Sequence, residues 1–171
     1  MESKRDLLRH FLAALAYRTQ KALRGAPPEF GEFRAAPQVR SPRELVLHMT
    51  SVIGYATTFF LGGSFRPDPL EDLEAEVGRF HEQLARLDRL IAQTESWPEV
   101  APEQLLQGPL ADAMTHAGQL AMLRRLAGSP VPPENFVFAK VSTANLGPDQ
   151  PRPAAPDAVW PEAPEEPRAG T

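Results

Sequence analysis

The sequence predicts an all-α protein, a four-helix bundle formed by a single domain. Three observations support this prediction: four segments repeat apolar residues every three or four positions, three of them begin at a capping motif, and the segments end close to glycine or proline. The chain has 171 residues, which is enough to bury one continuous apolar core.

The first helix is predicted over about residues 4–24. Ser3 and Asp6 have the spacing of a capping box, and Gly25 supplies the stop. Between them, apolar side chains form one stripe along the helix: Leu8, Phe11, Leu12, Leu15 and Leu23. Because successive side chains are about 100° apart, this stripe leaves Tyr17 and Arg18 facing largely away from the core.

The second helix is predicted over about residues 42–61. The segment Ser41-Pro42-Arg43-Glu44 is a fuller capping box, with proline at the first helical position and glutamate placed to bond back to the cap. Gly62-Gly63 then supplies the stop.

The third helix is predicted over about residues 69–93, because Asp68-Pro69-Leu70-Glu71 repeats the same motif. Its apolar residues alternate in steps of three and four, which predicts a seam facing other helices. These residues are Leu70, Leu73, Val77, Phe80, Leu84, Leu87 and Ile91.

The fourth helix is predicted over about residues 110–127, between Gly108-Pro109 and Gly128. It is apolar on more than one side, so we expect it to be the most buried of the four and to offer a surface for a homodimer.

Past the fourth helix the sequence changes character. Residues 134–141, ENFVFAKV, predict an extended arm laid across the bundle, and residues 148–171 carry seven prolines among acidic and small residues. Such a composition cannot bury enough surface to fold alone. We therefore divide the chain into a bundle, residues 1–147, and a Pro-rich acidic tail, residues 148–171, that is flexible or docked on it.

Composition excludes several functions. There is no cysteine, so disulfides, thiolate metal ligands and a sulfur nucleophile from the chain are absent. The formal net charge of −4 gives no basic surplus for nucleic acid. No signal-peptide cleavage pattern and no apolar run of the ~20 residues that span a membrane are visible. A cytoplasmic protein that acts on a small molecule is the expectation.

The four histidines are sorted by helical face. His10 lies opposite the apolar stripe of the first helix and His81 on the flank of the third helix's seam, so both are predicted to be solvated. His48 lies at the edge of the apolar face of the second helix, on one strip with Tyr55 and Phe59, and should point partly inward. For an isolated histidine, a hydrogen bond to a backbone carbonyl or to Tyr55 would explain that position.

The fourth helix strengthens the case for a site. Asp112 and His116 are four residues apart on one face, which brings their Cβ atoms within about 5–6 Å of each other. A carboxylate and an imidazole in an apolar strip are costly to bury unless they pair or bind a metal. A hydrogen bond between Asp112 and His116 remains the structural alternative.

These residues carry a family resemblance. The segments HFLAALAYRT (10–19), SPRELVLHMTSVIGYA (41–56) and GPLADAMTHAGQLAMLRRLAG (108–128) resemble the DinB/YfiT-like family of metal-dependent four-helix proteins. The resemblance covers about residues 5–147, and its most specific part is the His-x-Gly-Gln-Leu that begins at His116. It implies an up-down-down-up bundle in which three histidines hold a divalent cation near one end.

His48 and His116 match two of the family's three ligands, whereas Asp112 stands where the family has histidine. The resemblance implies zinc or nickel, and a set of two histidines and one carboxylate also suits iron. Gln119 is one turn on from His116 and is expected to orient a ligand or the substrate, as is Tyr55.

Two functions follow. The first is a metal-dependent transferase or hydrolase that activates water or an exogenous low-molecular-weight thiol against a small electrophile, as related thiol transferases and a maleylpyruvate isomerase do. The second is a non-catalytic helical bundle, acting as a dimeric small-ligand-binding or structural protein.

Overall fold

A computed structural model describes residues 2–161 and residue 163 of the protein. Its long helices are α1 (Glu2–Leu23), α2 (Pro42–Leu61), α3 (Leu73–Gln93) and α5 (Ala111–Leu126), and a single turn, α4 (Pro102–Leu105), precedes the last of them. The described residues contain no strand beyond one isolated bridge between Glu134 and Pro156. The predicted all-α class is therefore confirmed.

The four long helices enclose one apolar core. α1 packs against α3 and α5, and α2 packs against the same two helices, so each helix has two neighbours. The largest fully buried side chains come from α1, α2, α3 and two short turns: Leu8, Leu12, Leu15, Tyr17, Phe30, Met49, Ile53, Phe80, Leu84, Leu87, Ile91 and Leu105. A polar group that lies between the helices is therefore costly unless it is paired or binds a ligand.

Cross-helix bonds tie α1 to α3. Arg5, near the start of α1, donates to the carbonyl oxygen of Thr94, one residue past the end of α3, at 2.5 Å. One turn further on, Arg9 and Asp88 form an ion pair with an N···O distance of 2.8 Å. Gln20, close to the end of α1, contacts His81 in the first half of α3.

The capping prediction holds for α2 and fails for α1 and α3. At α2, Ser41 Oγ accepts from the backbone N–H of Glu44 at 3.3 Å. The Glu44 carboxylate in turn accepts from the backbone N–H of Ser41 at 2.9 Å. α1 already includes Glu2, so Ser3 lies inside the helix and is not its cap. The predicted start of α3 at residue 69 is also wrong, because Asp72 caps that helix by accepting from Ala75 N–H at 2.8 Å.

The later start of α3 has a physical cause in Glu76, whose side chain is fully buried. Its carboxylate accepts from the backbone N–H of Leu70 at 2.8 Å and pairs with Arg79 at 2.5 Å. Arg79 in turn donates to the carbonyl oxygen of Asp68. These bonds hold residues 68–70 outside the helix, so the second possible cap, Asp72, is used.

The segment leading into α5 is kinked. Residues Leu106–Leu110 form a wide, π-type turn in which Gly108 has φ −91° and ψ −105°, and Pro109 lies inside it. The predicted helix over 110–127 is confirmed to within one residue at each end. The expectation that it is the most buried helix is wrong: six of its 16 residues are buried, against nine of 20 in α2. Its second apolar side is partly solvated, with Met122 and Leu126 both more than half exposed.

The arm and tail are in contact with the bundle. Residues 134–141 are not a continuous extended segment, since Phe136–Phe138 form a 3-10 turn. Arg24 donates to the carbonyl oxygen of Gln150 at 2.5 Å, and Asp157 N–H donates to Pro133 O at 2.9 Å. This described part of the predicted tail is therefore docked, whereas residues 162 and 164–171 lie outside the described residues.

One helix in the described part of the chain, α2, is long and apolar enough to cross a membrane by length and composition, with a mean hydropathy of 1.2. No uninterrupted apolar run in the sequence indicated this. Within that window 44% of the residues are buried inside the protein, which is also the behaviour of a core helix.

Candidate metal centre

His48 is positioned by the regular first half of α2. The capping box fixes the start of the helix, and His48 follows Leu45, which is buried in the core, by one turn. Its imidazole is half-buried, as its place at the edge of the apolar face predicted. Burial lowers the pKa of His48, and the charges of Arg40 and His116 lower it further, against the opposing effect of Asp112. A lowered pKa keeps the ring neutral near pH 7, the form that binds metals.

Asp112 and His116 come from the first two turns of α5. The kinked turn before the helix sets where this face begins, and Asp112 is in its first turn. His116 Nε2 lies 3.2 Å from Asp112 Oδ1 across one helical turn. His116 is buried and Asp112 is exposed, so the pair reaches from the core out to solvent.

The structure brings the three predicted residues together between α2 and α5. His48 Nε2 lies 3.8 Å from Asp112 Oδ2, and the two imidazole rings are edge-on with centroids 4.7 Å apart. One donor atom from each residue can be chosen so that all three lie within 4.8 Å of one another. His48, Asp112 and His116, the metal triad hereafter, form a group that could hold a metal ion.

Gln119 holds the His116 ring in place. Its Oε1 lies 2.8 Å from His116 Nδ1, so Gln119 contacts the ring that it was predicted to orient. With the amide in this orientation Nδ1 is the protonated nitrogen, which leaves a lone pair on Nε2. The Nε2 atom is buried and has no hydrogen-bond partner among the described residues, although it faces the Asp112 carboxylate. Two acceptors that face each other at this distance repel unless a cation or a proton lies between them.

Two grooves flank the metal triad. The first, of about 680 Å³, runs past Asp112 toward the kinked turn and is lined by Ser51, Val52, Tyr55, Gln107 and Thr115. The second lies beyond His116 and is lined by Val39, Arg40, Leu45, Gln119, Met122 and Leu126. The metal triad is therefore reachable from solvent on two sides.

Tyr55 forms part of the wall of the first groove. Its side chain is 55% exposed and its ring packs edge-on against Phe59, with centroids 4.9 Å apart. Tyr55 thus borders the first groove, and its role toward a substrate stays a prediction.

The sequence did not predict a role for Arg40, and two other residues lie in surroundings that differ from the predicted ones. Arg40 is exposed, lines the second groove and acts electrostatically on His48; its position just before the Ser41 cap was the available signal. His81 was predicted to be solvated and is buried, with Nδ1 2.7 Å from the Leu146 carbonyl oxygen. Tyr17 was expected to face away from the core. It is buried because Glu134, from the arm, covers it and accepts a hydrogen bond from its hydroxyl group at 2.6 Å. His10 is exposed, as predicted.

Comparison with known proteins returned no relative: no family model, no curated protein and no solved structure matches this chain. The DinB/YfiT-like resemblance therefore stays a prediction, and the function has to be argued from the geometry of the metal triad.

Proposed function

We propose that the protein is a metal-dependent enzyme of the DinB/YfiT-like type, in which His48, Asp112 and His116 hold one divalent cation. The observation that carries this proposal is the convergence of two imidazoles and a carboxylate, from two helices, within 4.8 Å. Zinc and nickel are the expected metals, and two histidines with one carboxylate also suit iron.

The residues present fit such an ion. The lone pair of His116 Nε2 is buried and faces the Asp112 carboxylate at 3.2 Å, which favours a cation between the two atoms. Gln119 fixes the tautomer that leaves this nitrogen free to coordinate. His48 is kept neutral by its lowered pKa, and the half-exposed Asp112 leaves a side of the site open to solvent.

The charge around the site favours an anionic substrate. A divalent ion bound by two neutral imidazoles and one carboxylate keeps about one positive charge, and such an ion lowers the pKa of a bound water or thiol. Arg40 adds a second positive charge on the wall of the neighbouring groove. We therefore propose a small anionic electrophile as substrate, attacked by water or by a low-molecular-weight thiol.

The nucleophile must be external if it is sulfur, because the chain contains no cysteine. The two grooves give room for two reactants: one side offers the Tyr55 and Ser51 hydroxyls, and the other offers Arg40 beside the apolar side chains of Val39 and Met122. The reaction class is then a transfer to the thiol or a hydrolysis.

The order of the helices, the cellular location and the oligomeric state belong to the same proposal. The up-down-down-up order is supported by the bonds from the start of α1 to the end of α3 and by the packing of α1 and α2 on the same two helices. A cytoplasmic homodimer is proposed, with no nucleic-acid or membrane partner.

A second candidate is a non-catalytic bundle that binds small ligands or has a structural role. It is favoured by the exposed Asp112, which can pair with a protonated His116 without any metal. In that case the proton takes the place of the cation between the two side chains.

Metal analysis of protein purified without a histidine tag separates the two candidates. After incubation with zinc or nickel and removal of free ion, the enzyme hypothesis predicts roughly one equivalent of bound metal. Less than about a tenth of an equivalent would contradict it.

Asp112→Asn is the matched variant, because it keeps the shape of the side chain and removes its charge. We expect it to weaken metal binding by about tenfold or more, measured by competition with a chelating dye. Unchanged affinity would show that Asp112 is not a ligand.

A further inference from the structure

A cavity separate from the two grooves lies on the face of α5 opposite the metal triad. It has a volume of about 300 Å³ and lies between α1 and α5, beneath residues 131–136. Its walls include Arg18, Lys21, Met114, Gly118, Ala121 and Glu134; we call it the α1/α5 cavity. Small-molecule sites start at about this size, which suits a ligand of a few heavy atoms.

Two cations from successive turns of α1 line the cavity. Burial lowers the pKa of Lys21, against the opposing charge of Glu134, so the ammonium group is partly desolvated. It donates to the carbonyl oxygen of Pro132, and its other N–H groups remain for a further acceptor. The Arg18 guanidinium lies over the Phe136 ring, 3.9 Å from its centroid, which fixes the plane of its donors.

One carboxylate oxygen in the cavity lacks a partner. Glu134 Oε1 accepts from the Tyr17 hydroxyl at 2.6 Å, whereas Oε2 is buried and has no hydrogen bond among the described residues. A buried carboxylate oxygen without a donor is unfavourable, so this atom points to a ligand that carries an N–H or O–H group.

We propose that the α1/α5 cavity binds a small aliphatic acid with a donor next to its carboxylate, that is, an α-amino or α-hydroxy acid. The ligand's carboxylate pairs with Lys21 and Arg18, its amino or hydroxyl group donates to Glu134 Oε2, and its aliphatic chain packs on Met114 and Ala121. This site is independent of the metal triad and of the proposed enzyme function.

Gly118 gives the cavity a variant that blocks it without crowding the fold. Gly118 lines the cavity, and a Cβ atom built on it meets nothing within 4 Å, so a larger side chain there takes up open space at the cavity wall. Replacing an interior helical glycine also favours the helix. Gly78 on α3 has equally open surroundings and does not line this cavity, so Gly78→Leu is the matched control.

Isothermal titration calorimetry with three probes tests the proposal: L-leucine, 2-hydroxy-4-methylpentanoate and 4-methylpentanoate, which lacks the donor. Saturable binding is expected for at least one of the first two, with the third at least about tenfold weaker. Whichever of leucine and the hydroxy acid binds more tightly identifies the donor. No saturable binding of any probe below about 10 mM would overturn the proposal.

The variants locate the bound ligand. Lys21→Met and Gly118→Leu should each weaken the better probe by about tenfold or more, while Gly78→Leu leaves it unchanged. Zinc affinity should stay the same in all three variants, which separates this site from the metal triad. If Gly118→Leu binds the probe as tightly as the natural sequence does, the ligand lies elsewhere and the proposal is wrong.

Discussion

The two faces of α5 are built from different parts of the chain. On one face, Asp112 and His116 meet His48 from α2, and each group comes from a regular helix. On the other face, Gly118 and Ala121 leave a space that is closed by residues 131–136, which follow the last helix. The first face gathers its polar groups by helical periodicity, whereas the second depends on how a non-helical segment docks.

This difference determines what each face can tolerate. The metal triad rests on two helices whose packing belongs to the core, so single changes there should alter binding more than folding. The second face depends on the turn after α5, and changes that release this turn should affect stability first.

His116→Ala should have the largest effect on the first face. It removes the buried imidazole nitrogen that would coordinate the metal. We expect zinc affinity to fall by about 1000-fold, or about 4 kcal/mol. Competition with a chelating dye measures the change. His10→Ala, which removes an exposed histidine of α1, is the control and should bind zinc as the natural sequence does. Equal losses in both variants would mean that zinc binds outside the metal triad.

Arg124→Met should have the largest effect on the second face. The Arg124 side chain is buried and donates to the carbonyl oxygens of Ala22 and Ser129, each at 3.1 Å or less. It thus ties the end of α1 to the turn after α5. Losing it leaves buried carbonyl oxygens unpaired, so the free energy of unfolding should fall by about 3 kcal/mol in urea denaturation. A loss below about 0.5 kcal/mol would show that this turn is held by other contacts.

Gln119→Ala should have a smaller effect on the first face. Gln119 accepts from His116 Nδ1, so its loss frees the ring without removing a proposed metal-coordinating atom. Zinc affinity should fall by about tenfold with stability little changed. Thr115→Ala, at an exposed neighbouring position on α5, is the control. An effect as large as that of His116→Ala would make Gln119 a ligand itself.

Substitution of His81 should have the smallest effect on the free energy of unfolding, and this effect depends on pH. Burial lowers the pKa of His81, against the raising effect of its bond to Leu146 O, so the unfolded chain takes up this proton at a higher pH than the folded protein does. His81 therefore destabilises the fold as the pH falls below about 6.5, its usual pKa. His81→Gln should lose less stability than the natural sequence between pH 7 and pH 5 in urea denaturation. Parallel pH profiles would contradict this assignment.

The sequence predicted the parts of the fold that follow from local rules. Ser41 and Glu44 have one possible pairing, and the structure has that pairing. At α3 two aspartates compete as caps, and a buried glutamate that local spacing does not reveal decides between them. Local rules thus identify a helix and do not choose between two adequate starts.

The candidate site could also be predicted only where it follows from the spacing of residues within one helix. Helical spacing placed Asp112 and His116 on one face, but their approach to His48 depends on how α2 and α5 pack. Tyr17 was predicted to face away from the core and His81 to be solvated. Both are buried, because residues 134 and 146, which lie beyond the helices, cover them. Periodicity within one helix carries no information about such a covering segment.

The proposed function requires two imidazoles and one carboxylate to hold a single divalent ion between α2 and α5. X-ray absorption spectroscopy of the zinc-loaded, tag-free protein identifies the atoms that coordinate the metal. We expect two imidazole nitrogens and at least one oxygen at about 2.0–2.2 Å from the metal, and one imidazole fewer in His48→Ala. A spectrum with oxygen ligands alone, or one left unchanged by His48→Ala, would contradict it.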